Sequence, residues 1–192
     1  MTAAGSAAAG SAAAGSAAAG SAASGTAVAA LQQALAAENS AVYGYSVAGA
    51  HLTGARRSAA VRDWVGHQNS RDDLTAMLAA HGAQPVAAAA VYQLPFSVHG
   101  ATAAIALVTL LEDRLSAAYL GLVGLDDPAL RTFGARAVRA AALRAATWRR
   151  GTLAFPGLDV PALPAPGPAS QGSGSPAPSG QAHGKPTPSH QG

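Results

Sequence analysis

Between residues 26 and 155 the large apolar side chains fall into four segments, each spaced at three and four positions, and nowhere into the alternation of a half-buried strand. That pattern confines the fold to helices that pack through one face each. The first stripe is Leu31, Leu35, Glu38, Val42, Tyr45, Gly49 and Leu52, ending near Gly54. The second runs from about Arg57 to Ala80 as Trp64, His67, Arg71, Leu74 and Leu78, with Gly82 as its stop. Ile105, Val108, Glu112, Leu115, Tyr119 and Leu122 form the third, which ends at Gly124. The fourth opens with Asp127 as N-cap and Pro128 in the first turn, and reaches about Trp148.

The links between helices one and two and between helices three and four are short, which forces antiparallel hairpins. Residues 82–100, "GAQPVAAAAVYQLPFSVHG", are long enough to run the length of a helix. Two hairpins joined by one long crossover between helices two and three is the connectivity of an all-α, ferritin-like four-helix bundle. A plain up-down-up-down bundle is the alternative connectivity. Residues 1–25 repeat an Ala/Gly/Ser pentad without a large apolar side chain, and a glycine at every fifth position costs a helix about 1 kcal/mol relative to alanine; they read as a disordered leader. Nine of the twelve prolines fall in residues 156–192, which read as a disordered tail. The bundle is thereby expected over residues 26–155.

With no cysteine, disulfides and thiolate metal sites are excluded. A formal charge of +3 does not point to nucleic acid. No run of about 18 strongly apolar residues exists, so no membrane span is expected. No export leader is legible, which makes cytoplasmic the default compartment and leaves export open.

Three of the four stripes carry ionisable residues near mid-helix: Glu38, then His67 with Arg71, then Glu112. Mid-helix positions in a bundle share one level, and an isolated buried charge is so costly that these groups must pair with one another or bind a cation. The expectation is one buried cluster of Glu38, His67, Arg71, Glu112 and Tyr45, satisfied without metal or other cofactor. The alternative is an iron or manganese site held by Glu38, His67 and Glu112 in an oxidoreductase. Ferritin-like di-metal sites take one Glu from each of two helices and a Glu-x-x-His pair from each of the other two. Here Trp64 stands three residues before His67, and the fourth stripe contains no acid or histidine at all. Tyr43, Tyr45 and Tyr119 are candidates to donate to the carboxylates. Arg144 is a second candidate to turn inward and neutralise Glu38 or Glu112. Arg131, Arg136, Arg139, Arg144, Arg149 and Arg150 give helix four a basic character that could bind anions weakly. The partners expected are a second copy in a homodimer or such an anion, and the function is that of a non-catalytic structural or interaction module.

With those residues placed, the chain resembles an alanine-rich, ferritin-like domain family of actinobacteria with unassigned function. The resemblance covers about residues 28–158 and rests on "LAAENSAVYGYSVAGAHL", "GHQNSRDDL", "YQLPFSV", "LLEDRLSAAY" and "FPGL". It implies a ferritin-like fold and marks Glu38, Tyr43, Tyr45, His67, Arg71, Asp72 and Glu112, without bringing an activity. In that family a histidine often follows the first glutamate, where this chain has Asn39.

Overall fold

A computed structural model describes the backbone of residues 5–151 and the side chains of residues 20–151. Four helices follow one another: α1 Gly5–Ala50, α2 Gly54–Ala80, α3 Gly100–Val123 and α4 Pro128–Arg149. No strand occurs among the described residues. The protein is an all-α four-helix bundle. No helix among the described residues is long and apolar enough to cross a membrane.

Helices α1, α2 and α3 bury most of the stripe their spacing predicts, with Arg71 of α2 outside it. In α1 the buried residues Leu31, Ala34, Glu38, Ala41, Tyr45 and Ala48 alternate three and four apart, and Leu52 just beyond its end continues the stripe. In α3, Val108, Leu111, Glu112, Leu115, Tyr119 and Leu122 do the same work. Cross-helix contacts give the directions. Tyr45 of α1 meets Glu112 of α3, and Glu38 meets Tyr119, so climbing α1 means descending α3. Trp64 and His67 of α2 likewise meet Val42 and Glu38 of α1 in reverse order. In α4, Gly134 lies against Leu122 and Arg144 against Glu112, which sets α3 and α4 antiparallel. Hence α2 and α3 run the same way, and only a crossover of bundle length can join them. Its residues Gln84 and Val86 are held by Gln32, and Tyr92 stacks on Tyr43 with ring centroids 5.5 Å apart, so the crossover climbs along α1.

The crossover packs less completely than its apolar composition suggests. Val98 is buried and Leu94 rests on the core, yet Val91 and Phe96 face outward. The start of α1 lies within the alanine-rich repeat, at Gly5. The repeat continues a helix that packing has already nucleated, so each added residue needs only propagation, which alanine favours. The expected tail, residues 156–192, lies outside the described residues.

Helices α3 and α4 approach closely at Gly134. A Cβ there would stand 2.7 Å from Leu122 Cβ and 3.1 Å from the Tyr119 carbonyl oxygen. Gly134→Ala is therefore expected to destabilise the protein by about 1–3 kcal/mol through overpacking, although alanine is the better helix former. Gly66 is the control, because a Cβ there meets nothing within 4 Å. Gly66→Ala should stabilise by up to about 1 kcal/mol. Denaturant unfolding of the two variants checks the contrast, and equal signs would contradict it.

Candidate functional site

The charged residues of the stripes converge at mid-bundle. Glu38, His67 and Glu112 are at most 1% exposed. The His67 ring lies between the two carboxylates, with Nδ1 2.8 Å from Glu38 Oε2 and Nε2 2.9 Å from Glu112 Oε1. Tyr119 donates to Glu38 Oε1 at 2.5 Å, and Tyr45 donates to Glu112 Oε1 at 2.6 Å. From α4, Arg144 Nε donates to the same Glu112 oxygen at 2.9 Å. The result is one chain of contacts through all four helices: Tyr119, Glu38, His67, Glu112, then Tyr45 and Arg144.

The local sequence explains the geometry. Glu38 and Tyr45 are seven residues apart in α1, and Glu112 and Tyr119 are seven apart in α3. Seven residues is nearly two turns, so each pair lies on one face about 10 Å apart along the axis. When the two helices pack antiparallel, each tyrosine falls opposite the other helix's glutamate. The site thus has an approximate twofold arrangement in α1 and α3, with His67 between its halves. The recurring Glu-x6-Tyr spacing is the signal that fixes which tyrosine serves which carboxylate.

Both imidazole nitrogens face carboxylate oxygens, so both can donate only if His67 is the imidazolium. Burial works against that charge, but hydrogen bonds and attraction from Glu112 and Glu38 prevail and push the His67 pKa up to about 9. Burial likewise opposes the charge on Glu112, yet His67 and Arg144 hold its carboxyl below the ordinary value. Burial, and then the neighbouring carboxylate, push both phenols well up: Glu112 acts on Tyr45 and Glu38 on Tyr119. Two carboxylates, one imidazolium and one guanidinium leave the network without net charge. Glu112 Oε2 and Ser116 Oγ, one helical turn away, are buried without a hydrogen-bond partner among the described residues.

Arg71 is the correction. The sequence places it inside the cluster, but its side chain is 34% exposed and its Nε and Nη2 both donate to its neighbour Asp72. The buried positions of α2 are Ala60, His67, Leu74 and Leu78. Arg71, four after His67, is rotated away from that seam toward the groove between α1 and the crossover, beside Tyr43 and Tyr92. Tyr43 stacks there and touches no carboxylate of the cluster. The cation that reaches the cluster comes instead from α4.

The remaining arginines of α4 divide. Arg131 donates to the Leu125 and Asp126 carbonyls in the turn between α3 and α4, and Arg149 binds Asp113. Arg136 and Arg139 are exposed. The continuous basic face expected from the sequence is therefore broken up by internal contacts.

Fold and site together define an all-α four-helix bundle with a buried Glu/His/Tyr network at its centre, balanced by Arg144, which reaches it from the partly exposed side of α4. The chain belongs to the family described as a domain of unknown function (DUF4439), which matches residues 30–160. It is also similar to a solved structure, the conserved hypothetical protein rv2844 from Mycobacterium tuberculosis. The two share 31% identity over 66% of this chain and 96% of that one, with a TM-score of 0.64. No curated protein matches the sequence.

Proposed function

We propose that the chain is a ferritin-like bundle in which a charge-balanced network occupies the place of a di-metal centre, and that it serves as a non-catalytic structural or interaction module. The observation that supports this reading is His67 itself. Both of its ring nitrogens lie within hydrogen-bond distance of the two carboxylates that would have to bridge metal ions, and as the imidazolium it donates to both. A metal ligand must offer a lone pair, so His67 would first have to lose a proton that its surroundings hold tightly. Arg144 adds a guanidinium 2.9 Å from Glu112 Oε1, where a second cation would be repelled. At neutral pH an imidazolium and two raised phenols are each fixed in one protonation state, which does not suit groups meant to exchange protons during turnover.

The second reading is an iron or manganese oxidoreductase using Glu38, His67 and Glu112. One observation favours it: Glu112 Oε2 is buried with a free acceptor position. Metal analysis separates the two readings. Protein purified without chelator is expected to carry far less than one iron or manganese per chain, and its thermal midpoint should not move with chelator. Stoichiometric metal that survives dialysis, with a midpoint lowered by chelator, would overturn the metal-free reading.

A further inference from the structure

Helices α2 and α4 face each other, but their backbones do not close on one another as the other neighbouring pairs do. Small residues on α2, Ala55 and Ala59, leave room, and the gap holds a cleft of about 360 Å³. That volume is in the range of small-ligand sites. Trp148 spans the cleft from α4 and donates to Asp63 of α2 at 3.0 Å. Leu143, 57% exposed, forms an apolar lip.

The polar part of the lining is strongly one-sided. Arg56, Arg62, Arg144 and Arg150 all contribute, against the single carboxylate of Asp63. Arg144 is balanced from behind by Glu112. The other three arginines make no ion pair among the described residues. Allowing for Asp63, the cleft keeps two uncompensated positive charges. Arg144 commits only Nε to Glu112, so both Nη groups remain free to donate, and a quarter of the side chain is exposed. Ala55 and Arg56 bring the first turn of α2 to the rim, and Thr53 caps it with no side-chain hydrogen bond. Its N–H groups add to the pull on an anion.

Two positive charges beside an indole and a leucine match a dianion carried on an apolar body. We infer that the α2/α4 cleft binds a small phosphate monoester, its phosphate held by Arg56, Arg62 and Arg144 and its apolar part lying on Trp148 and Leu143. A phosphate monoester is close to doubly charged at neutral pH, and arginine forks suit its oxygens. The inference does not rest on the metal-free reading of the buried network, because ligand binding in the cleft is measured directly in either case.

Calorimetric titration of the full chain at pH 7.5 with phenyl phosphate tests it. One saturable site per chain is expected. Inorganic phosphate, which lacks the apolar body, and benzoate, which lacks the second charge, should each bind about tenfold more weakly or worse. Exchanging the two arginines that α2 brings to the cleft, Arg56→Ala with Arg62→Ala, should weaken phenyl phosphate by about tenfold or more while leaving the thermal midpoint in place. Leu143→Ser should weaken phenyl phosphate and leave inorganic phosphate unchanged. No saturable binding, equal affinity for the three ligands, or undiminished affinity in the double variant would overturn the assignment.

Discussion

Arg144→Leu is expected to lower the unfolding free energy by about 3–5 kcal/mol, the usual cost of removing one partner from a buried ion pair. The size follows from what is left behind. Glu112 is 0% exposed and would keep its charge with only His67 to balance both it and Glu38. Two carboxylates held by one shared imidazolium resist joint ionisation, so one of them must take up a proton or admit water. Arg71→Ala is the matched control from the same set of sequence candidates. Its guanidinium is partly exposed and bound only to Asp72, so its loss should change stability by less than about 0.5 kcal/mol. Replacing the whole network together, with apolar residues for Glu38, His67, Glu112 and Arg144 and phenylalanine for Tyr45 and Tyr119, should cost far less than the single Arg144 change. No charge or hydroxyl of the network is then left unpaired. Denaturant unfolding of the three variants ranks them, and an Arg71 variant weaker than the Arg144 variant would contradict the geometry.

The contrast between those two arginines shows what periodicity can carry. Glu38, His67 and Glu112 were legible because a charged residue on an apolar stripe stands out against leucines and alanines, and mid-helix positions in a bundle share a level. Arg71 satisfies the same criterion, being four residues after His67, but a stripe locates a side chain only to within a broad face of the helix. The seam of α2 is set by Ala60, His67 and Leu74 at seven-residue spacing, and Arg71 falls to one side of it. Arg144 could be named as a candidate but not assigned. Its place depends on how far α4 slides along α3, and that register is fixed by the close approach at Gly134 rather than by any pattern within α4. The start of α4 was fully legible, because an N-cap is a local device: Asp127 accepts from the Ala129 and Leu130 N–H groups at 2.7 and 3.1 Å.

Raising the pH from about 6.5 through about 9 is expected to strip the protein of stability, by about 3 kcal/mol in all, as the His67 proton is lost. The folded state holds that proton more tightly than the unfolded chain, whose histidine titrates near 6.5. The stabilisation is therefore complete below 6.5 and declines until the folded state also deprotonates, near 9. Once neutral, the ring can donate from only one nitrogen, and the other turns a lone pair toward a buried carboxylate. Acid acts in the opposite direction through Glu112. Its lowered pKa contributes stability above the ordinary carboxylate value of 4.5, and that contribution is lost as pH falls through the folded-state value. Asp63, raised by burial, offsets part of this acid loss, because its contribution is largest at low pH. Maximum stability should accordingly lie in mildly acidic solution. Tyr45 and Tyr119 add a further loss only above about 10, where unfolded tyrosines begin to ionise, so the range from pH 7 to 9 reports His67. Denaturant unfolding across that range should show stability falling in the wild type. His67→Gln, whose amide can donate from its nitrogen but turns an acceptor oxygen the other way and does not titrate, should be less stable at pH 6 and nearly flat. A flat wild-type profile between pH 7 and 9, or the same slope in His67→Gln, would show that the ring does not carry the second proton.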